Sequence, residues 1–139
     1  MPKAPYYIII TRKNQVLLSF LDIRVVVNNK EIYPLQTTEP VVIPLEKDNP
    51  RIVITDGFHF TKPLELNFKR PAYFNFDVVC AIDDLQLLAG SLILAILYML
   101  GFLTGFFLLK LLSFTPIVWV LIYYYFNRKN FIRIVKAGK

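Results

Sequence analysis

Residues 85–126 read LQLLAGSLILAILYMLGFLTGFFLLKLLSFTPIVWVLIYYYF, with Lys110 the one charged side chain in the run. An α-helix needs roughly 20 apolar residues to cross a hydrocarbon core, and this run is about twice that length. One straight helix would overshoot the bilayer, so the run is expected to fold back on itself. The break signals lie around Lys110, Ser113, Thr115 and Pro116. Ser113 or Thr115 can serve as an N-cap, and Pro116 then falls in a first helical turn, where its missing N–H costs nothing. The expectation is a transmembrane helical hairpin over residues 84–131, with one helix at about 85–109 and the second at about 115–131. The short second helix calls for tilt or local thinning of the bilayer.

Charge around the run sets a direction. Residues 86–139 hold six basic side chains (Lys110, Arg128, Lys129, Arg133, Lys136, Lys139) and no acidic one, while residues 1–85 balance to zero, which accounts for the whole net charge of +6. Behind the second helix the basic residues cluster, and the turn offers only Lys110. The positive-inside rule then puts residues 132–139, read as a basic tail, in the cytoplasm. A hairpin brings the N-terminal domain to the same side. The opening Met1–Ile10 has an apolar part too short for a signal peptide and no cleavage site, which agrees with that topology. Tyr123, Tyr124 and Tyr125, followed by Arg128 and Lys129, are expected as interface anchors, because aromatic and basic side chains collect where a helix leaves the bilayer. The localisation implied is the cell (inner) membrane, multi-pass, with both termini cytoplasmic.

Within the first helix, Gly101-Phe-Leu-Thr-Gly105 is a GxxxG, and helical repeats backward from Gly101 meet Leu97, Leu94 and Gly90. Small residues on one stripe let helix backbones approach closely in lipid, where packing drives association. Gly90, Leu94, Leu97, Gly101 and Gly105 are therefore the candidate helix-packing residues, either against a foreign helix or against the second helix of the same chain. The run lacks the axial ligands a haem requires, with only Met99 in its core, and the intramembrane ionisable groups of a proton or ion path. Lys110 reads as a snorkelling side chain.

The first 83 residues read as short strands between turn residues. Tyr6–Arg12 is β-rich; Ile23, Val25 and Val27 alternate with Asp22 and Arg24 before Asn28-Asn29; Pro40 and Pro44 flank a short segment suited to a sheet edge. Arg51–Asp56 follows, then Leu64, Leu66 and Phe68 alternating with Glu65, Asn67 and Lys69, then Tyr73–Cys80 with Phe74, Phe76, Val78 and Cys80 on one face. Six or seven such strands indicate a small antiparallel β-sandwich over residues 1–83. The fold class expected is thus mixed, an N-terminal antiparallel β-sandwich with a C-terminal transmembrane hairpin. Hydrophobic residues make up 55% of the chain and charged ones 19%, a balance that excludes a single soluble domain, a disordered chain and a nucleic-acid binder.

The runs Ile8-Ile-Ile-Thr-Arg-Lys13, Asp22-Ile-Arg-Val-Val-Val-Asn-Asn-Lys-Glu-Ile32, Val41-Val-Ile-Pro-Leu45 and Arg51-Ile-Val-Ile-Thr55 resemble a PEGA-type sandwich. The chain departs from that pattern before the closing strand, where Glu46-Lys-Asp-Asn-Pro50 stands in place of a Pro-Gly-x-His turn. The whole arrangement is similar to small bacterial membrane proteins that place such a domain ahead of hydrophobic segments and a basic tail. The resemblance implies a binding or scaffolding role and transfers no catalytic residue.

Other chemistry is thin. His59, in Gly57-Phe-His-Phe60, is the one histidine and has no second ligand at metal spacing; Cys80 is the one cysteine and reads as a small buried hydrophobe. Asp83-Asp84 precedes the first helix and suits its N-cap. No catalytic residue, cofactor, metal or small-molecule substrate is expected. The function implied is a non-enzymatic accessory or scaffolding subunit of a larger integral-membrane complex of translocase, transporter or respiratory type, held in the lipid bilayer. The alternative is a stand-alone tethered adaptor whose sandwich binds a soluble partner or a lipid surface.

Overall fold

The computed structural model describes residues 6–36, 39–45, 49–66 and 73–137. The chain divides into two units, Met1–Ala81 together with Lys129–Lys139, and Ile82–Arg128.

Alternating apolar residues build the first unit. Its elements are β1 (Tyr6–Arg12), α1 (Val16–Ser19), β2 (Arg24–Val27), β3 (Glu31–Pro34), β4 (Val41–Leu45), β5 (Arg51–Thr55), β6 (Leu64–Glu65) and β7 (Tyr73–Cys80), with β8 (Ile132–Lys136) contributed after the helices. They form two four-stranded sheets, ordered β4-β1-β7-β8 and β3-β2-β5-β6. The period of two shows in the burial: Ile8 and Ile10 on β1, Val25 and Val27 on β2, Ile52 and Ile54 on β5, and Phe76, Val78 and Cys80 on β7 are buried. Asn28 and Asn29 both have positive φ (51° and 56°), a backbone state asparagine tolerates, and they turn β2 back into β3. The Asn28 side chain also accepts the Arg51 N–H at 3.0 Å, tying that turn to β5. β4, which contains Pro44, lies on the edge of its sheet, where a missing donor does no harm. The expected alternation over residues 64–69 reduces to the two-residue β6, and its remainder from Asn67 lies outside the described residues.

Two features depart from the sequence reading. The first sheet is mixed rather than antiparallel, because β1 pairs with β7 in parallel, Ile8 opposite Phe74 and Arg12 opposite Val78. Alternation fixes which face is buried and carries no information on the direction of a distant neighbour; β1 and β7 are separated by the whole second sheet. Residues 132–136 are also not a tail. Ile132–Lys136 pairs antiparallel with β7, Cys80 opposite Ile132 and Phe76 opposite Lys136. Ile132 is buried and Arg133 exposed, as on any half-buried strand, and the basic residues sit on a sheet edge where charge discourages further pairing.

One polar group is carried into the interior of this unit. Arg12 is buried, with Nη1 donating to the Leu35 carbonyl at 3.3 Å. Its Nε and Nη2 have no hydrogen-bond partner among the described residues. Burial lowers its pKa from the ordinary arginine value, and Asp22 pulls the other way.

The second unit is a helical hairpin: α2 (Asp84–Thr104), α3 (Phe107–Leu112) and α4 (Thr115–Asn127), followed by a 3-10 turn at Arg128–Asn130. Asp83 and Gln86 form a capping box at the start of α2. α2 ends earlier than expected. Gly105, at φ 68°, takes the left-handed conformation that closes the helix, and with Phe106 it makes a two-residue turn. The reversal thus lies at residues 105–106 rather than at 110–116, and the second leg starts at Phe107. Pro116 falls in the first turn of α4, as the sequence suggests, although α4 continues a leg that α3 has already begun. Having no N–H, it leaves the Leu112 carbonyl without its usual donor, and the Thr115 hydroxyl donates there at 2.6 Å. Ser113, expected in an exposed turn, is fully buried and donates to the Lys110 carbonyl at 2.6 Å. Beyond Asn127 the leg continues as the 3-10 turn to Asn130, one residue from the expected 131, before the chain turns into β8. At 1.5 Å per residue, the 21 residues of α2 span about 31 Å.

Candidate helix-packing site

Apolar surface dominates the hairpin. Two segments, Asp84–Thr104 and Phe107–Asn130, are long and apolar enough to cross a membrane, and only 6% of each segment's most apolar window is buried within the molecule. Leu88, Leu92, Ile96, Leu103, Leu111, Val118, Leu121 and Ile122 are all exposed.

The five candidate packing residues separate into three roles. Gly101 faces α3: an ideal Cβ there would stand 2.8 Å from the Lys110 nitrogen and 3.1 Å from the Leu109 Cβ. Its missing side chain is what allows α2 and α3 to touch, so this part of the stripe serves the hairpin itself. Lys110 folds back beside it, Nζ lying 5.6 Å from the centre of the Phe102 ring. Gly105 has nothing within 4 Å of its ideal Cβ and works through its positive φ, as the turn residue. Gly90 meets α4, its ideal Cβ 3.5 Å from the Pro116 Cβ, an ordinary contact.

On either side of that Gly90–Pro116 contact the legs leave a groove. One encloses about 540 Å³ and is lined by Gly90, Ile93, Leu97, Leu112, Pro116 and Trp119. The other encloses about 210 Å³ and is lined by Leu87, Gly90, Leu94, Ile117 and Val120. Leu97 and Leu94 therefore line opposite grooves. Pro116 and Trp119 were not singled out from the sequence as packing residues. A small residue opposite a proline in an apolar hairpin was the available signal, hidden by placing Pro116 in the turn.

The residues expected as anchors lie at the end of the second leg. Tyr123, Tyr124 and Tyr125 occupy the last turns of α4, with Arg128 and Lys129 in the 3-10 turn beyond. Trp119 stacks on Tyr123 one helical turn later, centroids 5.3 Å apart.

In the two-sheet unit, His59 is held by a ring contact and a carboxylate. Its ring lies 4.8 Å from that of Phe131, and Nδ1 donates to the Asp56 carboxylate at 2.8 Å. Asp56 also accepts the backbone N–H groups of Phe58 at 2.9 Å and His59 at 2.6 Å. Burial pushes its pKa up, but these bonds and the imidazole outweigh burial and hold the carboxyl below its ordinary 3.8. Cys80 is buried, its backbone N–H held by Gln15 Oε1 at 2.6 Å. Among the described residues no three His, Cys, Asp or Glu side chains gather as a metal site would require.

Compared with known protein families, with curated proteins and with solved structures, the chain matches none.

Proposed function

We propose that the chain is a non-enzymatic accessory subunit of a larger integral-membrane complex, tethered by a transmembrane hairpin and carrying its β-sandwich in the cytoplasm. One observation carries the membrane part: both apolar segments are almost wholly exposed. The core helix of a soluble domain would be mostly covered, and soluble surfaces rarely leave bare apolar patches beyond a few hundred Å². The pairing of Cys80 with Ile132 supports an even number of crossings, since it ties the two ends of the hairpin together. Arg128, Lys129 and Arg133 at that end, against Lys110 near the turn, favour the cytoplasmic side of the inner membrane.

The subunit role rests on the grooves. The hairpin uses Gly101 for its own closure and leaves apolar furrows beside Gly90, suited to the side chains of a neighbouring helix. The PEGA-type resemblance of the strand runs points the same way, toward binding. Extraction of native membranes in a mild detergent, followed by sizing and partner identification, tests the reading. The chain should run within a large assembly that also contains other membrane proteins. A chain that runs alone refutes the subunit role and leaves the tethered adaptor.

A further inference from the structure

One end of the two-sheet unit carries exposed rings on two separate segments, and it is the end where the chain leaves for the apolar hairpin and returns from it. β1 and β7 are parallel, so their C-terminal ends coincide: Arg12 pairs with Val78, and Lys13 N–H donates to the Val78 carbonyl. Cys80 pairs with Ile132, and Ala81 N–H donates to the Phe131 carbonyl at 2.8 Å. The other sheet ends here too, because Arg24 pairs with Thr55, Arg12 reaches Leu35, and His59 packs on Phe131. After β1, α1 and the residue beyond it present Val16, 52% exposed, and Phe20, 80% exposed; after β5, Phe58 is 88% exposed and Phe60 62%.

These rings are not on slack chain. Gln15, just before α1, accepts the Cys80 N–H, and Leu18, within α1, is buried. The Asp56 carboxylate gathers the N–H groups of Phe58 and His59, and Gly57 N–H donates to Thr55 Oγ1 at 2.9 Å. Phe20, Phe58 and Phe60, exposed together at one end and held by hydrogen-bonded turns, make an apolar surface that an apolar phase can cover. Lys13, Lys62 and Arg133 are exposed around the same end, while Asp56 is engaged by His59, Asp22 by Arg24, and Asp83, which with Asp84 follows Ala81, by the capping box of α2.

Resting on the membrane reading above, we propose that this end seats on the bilayer, with Phe20 and Phe58 entering the interface between anionic headgroups and acyl chains. The occupant is lipid because the chain itself passes from Ala81 and Phe131 into the segments that the membrane would hold. The two loops then act as outriggers that fix the domain against the surface instead of leaving it to swing on its two linkers. Basic side chains around an apolar insertion are the pattern of interfacial lipid binding.

The test uses the full chain with Cys80→Ala and single cysteines in place of Phe58, Phe20, Tyr73 and Leu97, each carrying an environment-sensitive fluorophore. The vesicles are phosphatidylcholine with a minor share of phosphatidylglycerol, spin-labelled either near the headgroup or deep in the acyl chain. Labels at Phe58 and Phe20 should be quenched by the shallow spin label, roughly twofold or more if the ring sits 5–10 Å into the interface. The label at Leu97, in mid-α2, should answer to the deep one, and that at Tyr73, at the far end of β7, to neither. Quenching at Leu97 with none at Phe58 and Phe20 overturns the proposal and leaves the membrane reading standing. No quenching at Leu97 overturns both. Labels at Phe58 and Phe20 that are covered in native membranes but bare in lipid vesicles would show a protein cover and also overturn it.

Discussion

Gly101→Ala should loosen the hairpin, and Gly90→Ala should not. Each substitution removes a helix-interior glycine and gains about 1 kcal/mol of helix propensity, so that contribution cancels in the comparison. The difference lies in what the new methyl meets. At Gly90 it would stand 3.5 Å from the Pro116 Cβ, an ordinary contact. At Gly101 it would stand 2.8 Å from the Lys110 nitrogen and 2.9 Å from its Cγ. The Cγ can swing aside, but the nitrogen belongs to α3 and moves only with the helix. Overpacking of this kind costs about 1–3 kcal/mol. Gly101→Ala should therefore be less stable than Gly90→Ala by that amount, about 5- to 150-fold in the folding equilibrium. Titrating sodium dodecyl sulfate into the full chain in nonionic micelles, and following Trp119, the chain's single tryptophan, measures it. Trp119 stacks on Tyr123 and lines the groove beside Gly90, so its emission reports separation of the legs. A Gly101→Ala hairpin as stable as the Gly90→Ala one would refute the close α2–α3 approach.

Ile132→Ala, at a buried position opening β8, should destabilise the two-sheet unit by about 2–5 kcal/mol, read by urea unfolding of the full chain in micelles; a free tail would show no change. In native membranes, with Cys80 replaced, a cysteine at Phe106 should react with an impermeant thiol reagent from the outer side and one at Ser113 should not; the reverse pattern would restore the turn to residues 110–116. Because Asp56 is held below its ordinary 3.8, its contribution is present above that pH and is lost as the pH falls through the lower folded value; Asp56→Asn should lower stability at pH 7 and flatten the acid limb of a stability–pH curve. Arg12→Met should leave the stability of the two-sheet unit within about 1 kcal/mol or raise it, since it removes a buried cation with two unpaired nitrogens; a thermal scan showing a larger loss would mean that the guanidinium is satisfied after all.

Local pattern carried the sequence reading where pattern is a local matter. Tyr73–Cys80 announces its strand by alternation, Tyr6–Arg12 by its β-rich run and Val41–Leu45 by the prolines that confine it to an edge, and Asn28-Asn29 announces its turn by the backbone states asparagine accepts. Partner choice was not legible, because nothing within Tyr6–Arg12 specifies a parallel neighbour in residues 73–80. β8 was hidden by its charge: Ile132, Ile134 and the intervening Arg133 alternate, but three basic groups in Arg133–Lys139 dominate so short a segment. In the hairpin, Gly105 and Pro116 are both break signals, and the sequence does not rank them. A left-handed glycine can reverse the chain in two residues, whereas a proline near a helix start is compatible with continuation once Thr115 supplies the missing donor. The packing stripe was legible as small residues, but its division into Gly101 for closure, Gly105 for the turn and Gly90 beside the grooves depended on where that reversal fell.

The opposition of Cys80 and Ile132 also sets an order of events. During synthesis β7 emerges with its outer edge bare, and the strand that completes it follows some fifty residues later, behind both apolar legs. Closing so long a loop by chance costs conformational entropy that a folded hairpin removes in advance, since it delivers Ile132 back to where Cys80 departed. Completion of the sheet thus records that the hairpin has closed: a chain whose second leg fails to return is left with an unpaired edge, a surface prone to aggregation and open to proteolysis.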